Sequence, residues 1–193
     1  KPRLIFATGN EGKMREIRQI LADSGYEILS MKEAGVDLDI VEDGTTFEEN
    51  ALIKAKAVME ATGELTLADD SGLEIDAFGG EPGVYSSRYL GEDTPYTEKN
   101  QVILDRMKDV PEEKRGARFV CVIAAVFPDG QTRTTRGTME GIIGYESNGE
   151  NGFGYDPIFY LPELKKYSAQ LSSDEKNQLS HRGQALRKMK EVL

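Results

Sequence analysis

One loop near the start of the chain has the residue types that phosphate binding requires. It follows the apolar residues 4–7 and precedes a segment with helical apolar spacing. Backbone N–H groups at a helix start, together with a lysine, favour phosphate binding. A simple tight connection is the alternative, because Ala7 and Met14 stand where a Walker A loop needs Gly and Ser or Thr. The loop consists of Thr8, Gly9, Asn10, Glu11, Gly12 and Lys13.

Two acidic pairs have the chemistry of a metal site. Asp69 and Asp70 follow an apolar run and precede Gly72, where we expect a sharp turn between two strands. Adjacent strand residues point to opposite faces, so one aspartate faces the site and the other braces the turn. Glu42 or Asp43 can supply a further carboxylate, and Mg²⁺ typically takes one or two carboxylates with phosphate and water. An Asp-rich turn and a solvated acidic loop are the alternatives.

Two segments in the last quarter of the chain have groups suited to a nucleotide base. Phe153 and Tyr155 alternate with glycines, and Asp156 precedes a proline, as stacking on a base and accepting its N–H groups require. His181 and Arg182 can donate hydrogen bonds to a purine oxygen. A turn packed on the core and a helix-capping histidine are the alternatives.

The elements that carry these residues predict an α/β fold. Residues 4–31 have a strand, loop, helix and strand pattern, which indicates parallel strands with a helix packed over them. The first loop then lies at the carboxyl end of a strand, where such sheets bind ligands. Residues 118–127 and 132–138 predict a hairpin, so the sheet is mixed. We further predict helices after Thr46 and Thr94, a loop at 141–156, and a helical end at 173–193 with a break near 180–183.

Composition limits the possible classes of protein. A chain of 193 residues fits one domain, 1–193, and a net charge of -10 disfavours binding to nucleic acid or to an anionic membrane. The longest apolar run, 119–127, is far shorter than the roughly 20 residues of a membrane helix, and we see no export signal. The lone Cys121 excludes an internal disulfide and fits a cytoplasmic protein. With the lone His181, it makes a structural zinc site a poor expectation.

Five motifs in this order resemble the inosine triphosphate pyrophosphatase family, enzymes that remove ITP, dITP and XTP from nucleotide pools. Similar segments at 80–83 and 85–89 extend the resemblance over nearly the whole chain. The five motifs are residues 8–13, Phe47-Glu48-Glu49-Asn50-Ala51, Ala68-Asp69-Asp70-Ser71-Gly72-Leu73, Phe153-Gly154-Tyr155-Asp156-Pro157 and Ser180-His181-Arg182-Gly183-Gln184-Ala185.

The resemblance implies an elongated α/β fold with a long mixed sheet and flanking helices, two lobes around a substrate cleft, a homodimer, and Mg²⁺ as cofactor. By motif position, the loop at 8–13 holds the triphosphate, Glu42 and Asp70 bind the metal, and Asp70 is also the general base. Asp43 remains an alternative to Glu42. Residues implied to contact the substrate elsewhere are Ser71, Phe153, Gly154, Tyr155, Asp156, Lys176, His181 and Arg182.

The expected reaction is attack by water on the α-phosphorus, with pyrophosphate as leaving group. Asp70 can deprotonate the water without a histidine, and Lys13 can neutralise the growing charge on the phosphate oxygens. A Maf-like pyrophosphatase with a preference for pyrimidine or modified bases is the rival within this chemistry. A nucleotide sensor that binds without turnover is the rival from another class, although carboxylates facing a polyanion disfavour it unless a metal bridges them.

Overall fold

A computed structural model describes residues Lys1–Leu193, and its centre is a seven-stranded sheet. Strands β1 to β7 are Arg3–Phe6, Glu27–Ser30, Leu65–Ile75, Gly116–Val126, Thr132–Ile143, Phe159–Leu161 and Lys166–Tyr167. Their order is β2-β1-β3-β4-β5-β6-β7. β1 pairs in parallel with β2 and β3, whereas β6 pairs antiparallel with β5 and β7. The predicted α/β class with a mixed sheet is confirmed.

Five α-helices accompany the sheet, and the local sequence explains where they begin. Asn10 caps α1 by accepting a hydrogen bond from the Lys13 backbone N–H at 3.0 Å. Thr46 caps α2 in the same way, and Gly63 ends that helix with a φ of 71° that favours glycine. The bounds are α1 Glu11–Ile20, α2 Phe47–Thr62, α3 Tyr96–Arg106, α4 Ser173–Leu179 and α5 His181–Val192. The predicted break in the last helical segment is confirmed at Ser180.

The sharp turn expected at Gly72 is wrong. β3 is one continuous strand through Asp69, Asp70 and Ser71. It lies between β1 and β4 in the sheet, but its pairing with β1 covers residues 65–67 and ends before Asp69. The Leu73 N–H, just beyond Gly72, donates to the Ser86 hydroxyl at 2.9 Å, so a contact from outside the segment supports the extended chain against the local turn preference of Ser-Gly.

Smaller differences concern the ends of elements. β5 extends to Ile143, so the expected loop begins later than residue 141. α1 ends at Ile20, and Gly25, with a φ of 86°, lies in the connection from α1 to β2. Pro95 rather than Thr94 precedes the first residue of α3, because the Thr94 hydroxyl donates to the Leu90 carbonyl instead of capping the helix.

The chain divides into two compact units, each with its own apolar core. The first unit comprises Lys1–Asp70, Cys121–Gly137 and His181–Leu193, and the second comprises Ser71–Val120 and Thr138–Ser180. The first core includes Phe6, Ile17, Leu67, Ile123 and Leu186. The second core includes Leu73, Ile103, Phe119, Tyr155 and Phe159. No helix has the length and apolar character needed to cross a membrane.

Candidate active site

The loop at residues 8–13 connects β1 to α1, as the sequence predicts. The Thr8 hydroxyl accepts a hydrogen bond from the Asn10 backbone N–H at 3.1 Å, and the Asn10 side chain accepts from the Lys13 N–H at 3.0 Å. Thr8 and Asn10 therefore shape the loop with their side chains. Gly9, Glu11 and Gly12 are exposed, so the loop backbone is open to a ligand at a helix N-terminus.

Asp69 is buried and surrounded by cations of the first unit. Lys13 Nζ lies 3.3 Å from its Oδ2, Arg182 Nε lies 3.9 Å away, and Lys54 Nζ donates to its backbone carbonyl at 2.9 Å. Burial acts to raise the pKa of Asp69, but the charges of Lys13, Lys54 and Arg182 outweigh it and lower the pKa to about 2. Asp69 is therefore an anion that holds three cations in place.

Asp70 has the opposite environment, although it is the next residue. It is half-buried, and burial raises the pKa of its carboxyl group to about 6, with the negative charges of Glu42 and Asp69 acting in the same direction. A hydrogen bond from Asn50 and the charge of Lys54 lower this pKa only in part. A carboxyl group whose pKa is raised towards neutrality is suited to accept a proton during catalysis.

Glu42 approaches Asp70 because the loop before α2 is fixed. The Gly44 N–H donates to Asn50 Oδ1 at 2.8 Å, and a Cβ atom at position 44 would come within 2.7 Å of the Glu49 Cβ. Glu42 Oε1 lies 3.4 Å from Lys54 Nζ, whereas Asp43 is exposed. The geometry favours Glu42 over Asp43 as a second carboxylate.

We call Lys13, Glu42, Lys54, Asp69 and Asp70 the charged cluster. The sequence did not identify Lys54, although it lies one helical turn after Asn50 of a recognised motif and so shares its face of α2. No group of three or more His, Cys, Asp or Glu side chains is arranged to hold a metal ion. Any cation here must take further ligands from water or substrate, which is the usual arrangement for Mg²⁺.

Arg182 at the start of α5 is held by two acids. Its Nη1 donates to Glu16 Oε2 at 3.1 Å, and its Nε faces Asp69. Burial acts to lower the pKa of Arg182, but Asp69 and Glu16 raise it, so the guanidinium stays charged. The sequence did not identify Glu16. His181 precedes Arg182 and is half-buried, as is Ser71 in β3.

Residues 152–156, here called the base loop, belong to the second unit. Asp156 is 4% exposed and accepts hydrogen bonds from the Phe153 N–H at 2.9 Å, the Ser168 hydroxyl at 2.7 Å and Lys176 Nζ. Phe153 is 66% exposed, and Lys176 Nζ lies 5.5 Å from its ring centroid. The loop thus presents an aromatic ring to solvent, with an ammonium group near that ring and a buried carboxylate in contact with the ammonium group.

Tyr155 differs from Phe153 in where its ring lies. It is buried against Tyr96, with ring centroids 5.1 Å apart in an edge-to-face arrangement, and its hydroxyl donates to the Ser86 carbonyl. Burial raises the pKa of the Tyr155 phenol. Of the two aromatics in the base loop, Phe153 is the one with a face available for stacking on a base.

A surface cavity of about 540 Å³ is lined in part by Gly9 of the loop at residues 8–13. Its other lining residues come from the segment after β2, and they are Met31, Lys32, Gly35, Val36, Asp37 and Leu38. Neither Glu42 nor Asp70 lines it. The cavity is therefore separate from the carboxylates of the charged cluster.

Comparison with known proteins supports the resemblance found in the motifs. The model of the Ham1 family matches residues 4–192. The dITP/XTP pyrophosphatase of Desulforamulus reducens is 49% identical over 191 residues, which is 99% of this chain and 95% of that protein. The Bacillus subtilis protein of the same name is 47% identical, covering 98% of this chain and 96% of that protein.

Solved structures agree with the fold. The Staphylococcus aureus Ham1 protein has a TM-score of 0.91 at 42% identity, covering 98% of this chain and 97% of that one. A HAM1 protein from Coxiella burnetii has a TM-score of 0.93 at 41% identity, covering 100% of this chain and 98% of that one. The similarity therefore extends along the whole chain in both sequence and structure.

Proposed function

This chain belongs to the Ham1 family, and we propose that it hydrolyses ITP, dITP and XTP to the nucleoside monophosphate and pyrophosphate. The relatives named dITP/XTP pyrophosphatase support this assignment. The observation that carries the chemistry is the pair Asp69 and Asp70, whose pKa values are driven to about 2 and about 6. Environments that shift the pKa values of two adjacent acids in opposite directions are typical of catalytic sites.

Asp70 is the general base of the proposed reaction. It takes a proton from a water molecule, and the water oxygen forms a bond to the α-phosphorus. The bond from that phosphorus to the bridging oxygen breaks, and the electron pair leaves with pyrophosphate. Lys13 and Lys54 neutralise charge on the phosphate oxygens, which is the main requirement in phosphoryl transfer. Both ammonium groups lie next to Asp69, which orients them.

Glu42 and Asp70 are the residues that would hold Mg²⁺. Two carboxylates fit its preference for oxygen ligands, and the effect of Glu42 on the Asp70 pKa indicates repulsion that a cation would relieve. When bound, the ion would neutralise phosphate charge and lower the pKa of a bound water.

The base loop selects the purine in this proposal. Phe153 stacks on the base, and Lys176, which lies near the Phe153 ring and contacts Asp156, supplies with Asp156 the hydrogen-bonding groups. Hypoxanthine and xanthine carry an oxygen at C6, to which His181, Arg182 or a backbone N–H can donate. Adenine carries an amino group there, and leaving such a donor unpaired costs about 1–3 kcal/mol.

The same family resemblance leads us to propose one pyrophosphatase domain over 1–193, a homodimer and a cytoplasmic location. In this proposal the loop at 8–13 and Ser71 bind the phosphates of the nucleotide. Sedimentation of the purified chain tests the dimer, and cell fractionation tests the location. A monomer at working concentration would contradict the proposed homodimer.

Pyrophosphate release from ITP, XTP, ATP, GTP and dTTP, each with and without Mg²⁺, tests the function. Metal-dependent release confined largely to ITP and XTP supports the proposal. Binding of ITP without release would instead identify a sensor. A preference for dTTP would assign the chain to a Maf-like activity.

A further inference from the structure

The base loop is held by contacts that neither the reaction nor base recognition uses. Asn100 of α3 donates from Nδ2 to the Gly154 carbonyl at 3.1 Å, and Tyr155 donates to the Ser86 carbonyl. These contacts fix the backbone at the centre of the loop and the ring that follows it. The loop is therefore anchored to two other elements of its own unit, α3 and the segment Gly83–Arg88.

Lys99 joins those two elements to each other. Its side chain is completely buried, and Nζ donates to the Ser87 carbonyl at 2.9 Å and lies 4.6 Å from the Tyr96 ring centroid. Burying an ammonium group against a carbonyl and a ring is costly in free energy. Such a group is expected where a fixed geometry matters, because an apolar side chain could fill the same space at lower cost.

Ser86 connects the same segment to β3. Its hydroxyl accepts a hydrogen bond from the Leu73 N–H at 2.9 Å and donates to the Gly83 carbonyl at 2.6 Å. Leu73 follows Asp70 by three residues on the same strand. The anchor of Tyr155 is therefore itself tied to the strand that carries the proposed general base.

Asn100 provides a separate indication of a positioning role. It is 3% exposed, and its Oδ1 is buried without a hydrogen-bond partner, whereas its Nδ2 contacts Gly154. A buried amide with one unsatisfied oxygen costs stability. The hydrogen bond to the base loop is the contact that accounts for an amide at this position.

We propose that Ser86, Lys99 and Asn100, here called the loop clamp, are positioning residues that set the base selectivity of this enzyme by fixing the base loop. The inference rests on the proposed function, since it takes the base loop to be the element that reads the purine. Loosening the clamp should weaken binding of the base and the preference for ITP over ATP. It should leave binding of the phosphates unchanged.

The test replaces Asn100 with leucine and uses Gln101→Leu as the matched control. Gln101 is an exposed amide on the same helix, and its side chain contacts Asp105 rather than the base loop. Tyr155→Phe removes the hydroxyl that reaches Ser86, and Tyr160→Phe in β6 is its control. Each protein is measured for kcat and KM with ITP and ATP. Inhibition by inorganic tripolyphosphate, which lacks a base, reports on the phosphate end alone.

We expect Asn100→Leu to raise KM for ITP about tenfold and to reduce the ITP-to-ATP ratio of kcat/KM by a similar factor, the size of one lost buried hydrogen bond. Tyr155→Phe should act in the same direction, and the controls should match the wild type. Inhibition by tripolyphosphate should be unchanged in all five proteins. A lower melting temperature with unchanged KM and unchanged ratio would overturn the proposal, because it would reduce the clamp to a structural role.

Hydrogen exchange of the peptide covering residues 148–160 gives a readout that does not depend on activity. We expect faster exchange in Asn100→Leu and Tyr155→Phe than in their controls. If the wild type releases no pyrophosphate from any purine triphosphate, the proposed function fails, while the exchange comparison still decides whether the clamp holds the loop. Equal exchange in variant and control would overturn the clamp itself. If Asn100→Leu does not fold, the kinetic and hydrogen-exchange measurements are made on Tyr155→Phe and its control, Tyr160→Phe.

Discussion

The charged cluster and the base loop both bury an aspartate, but they balance its charge differently. Asp156 accepts hydrogen bonds from a backbone N–H, a hydroxyl and Lys176, all within the second unit. Asp69 is balanced by cations, yet its neighbour Asp70 remains near Glu42 with a pKa of about 6. The base loop is thus organised before any ligand arrives, whereas the charged cluster keeps negative charge that a proton or a cation must relieve.

The largest expected effect is the loss of turnover when Asp70 is replaced. Asp70→Asn keeps the shape of the side chain but removes the group that takes the proton. We expect kcat for ITP to fall about 10³-fold, within the usual range for general-base catalysis. Asp39→Asn, at an exposed acid outside the cluster, should retain activity. Undiminished turnover in Asp70→Asn would show that the charged cluster is not the catalytic region.

Replacing the buried aspartate of the base loop should lower the stability of the folded protein. Asp156→Ala leaves the Phe153 N–H, the Ser168 hydroxyl and Lys176 without their shared acceptor, and we expect a loss of about 2–3 kcal/mol in the free energy of unfolding. Urea unfolding measures it. Glu150→Ala, at an exposed acid before the loop, is the control. If the two variants unfold alike, the base loop does not depend on its buried carboxylate.

The charged cluster shows which parts of the site could be predicted from sequence. The loop at 8–13 was predictable because its strand, its cap and its helix are neighbours in sequence. Alternation along a strand also anticipated that Asp69 and Asp70 have different environments. The turn predicted at Gly72 was wrong because the contacts of the extended strand there, such as that of Leu73 with Ser86, are non-local, and local composition carries no signal for them.

The base loop shows which contacts could not be predicted from the sequence. Phe153 and Asp156 were selected by residue type, but the partners of Asp156 lie 12 and 20 residues further along the chain. The burial of Tyr155 depends on Tyr96 and Ser86, which are more distant still. Lys54 and Glu16 were missed for a different reason, because a lysine or glutamate on a helix is ordinarily a solvated residue.

A smaller effect separates the two acids before α2. Glu42→Gln should weaken the apparent affinity for Mg²⁺ about tenfold or more, because a neutral amide replaces one of two carboxylates. Asp43→Asn is the matched control and should leave the affinity unchanged, since Asp43 is exposed. Activity at saturating ITP, titrated with Mg²⁺, measures both. The reverse result would assign the metal to Asp43 and require the loop to rearrange.

The smallest effect concerns stability and pH in the absence of metal. The folded-state pKa of Asp70, about 6, lies above the ordinary value of 3.8, so the folded protein binds this proton more tightly than the unfolded chain. Stability of the wild type should therefore fall relative to Asp70→Asn as the pH rises from about 4 to about 7. After allowance for partial exposure, the difference should reach about 1–2 kcal/mol.

Urea unfolding of both proteins in a chelator across this pH range measures that difference, since other acids titrate in both and cancel. Saturating Mg²⁺ should reduce the difference by stabilising the wild type, because a bound cation favours the charged carboxylate. Parallel stability curves for the two proteins would mean that the surroundings of Asp70 do not raise its pKa in the folded protein. The charged cluster would then be as internally balanced as the base loop, and the contrast between the two regions would disappear.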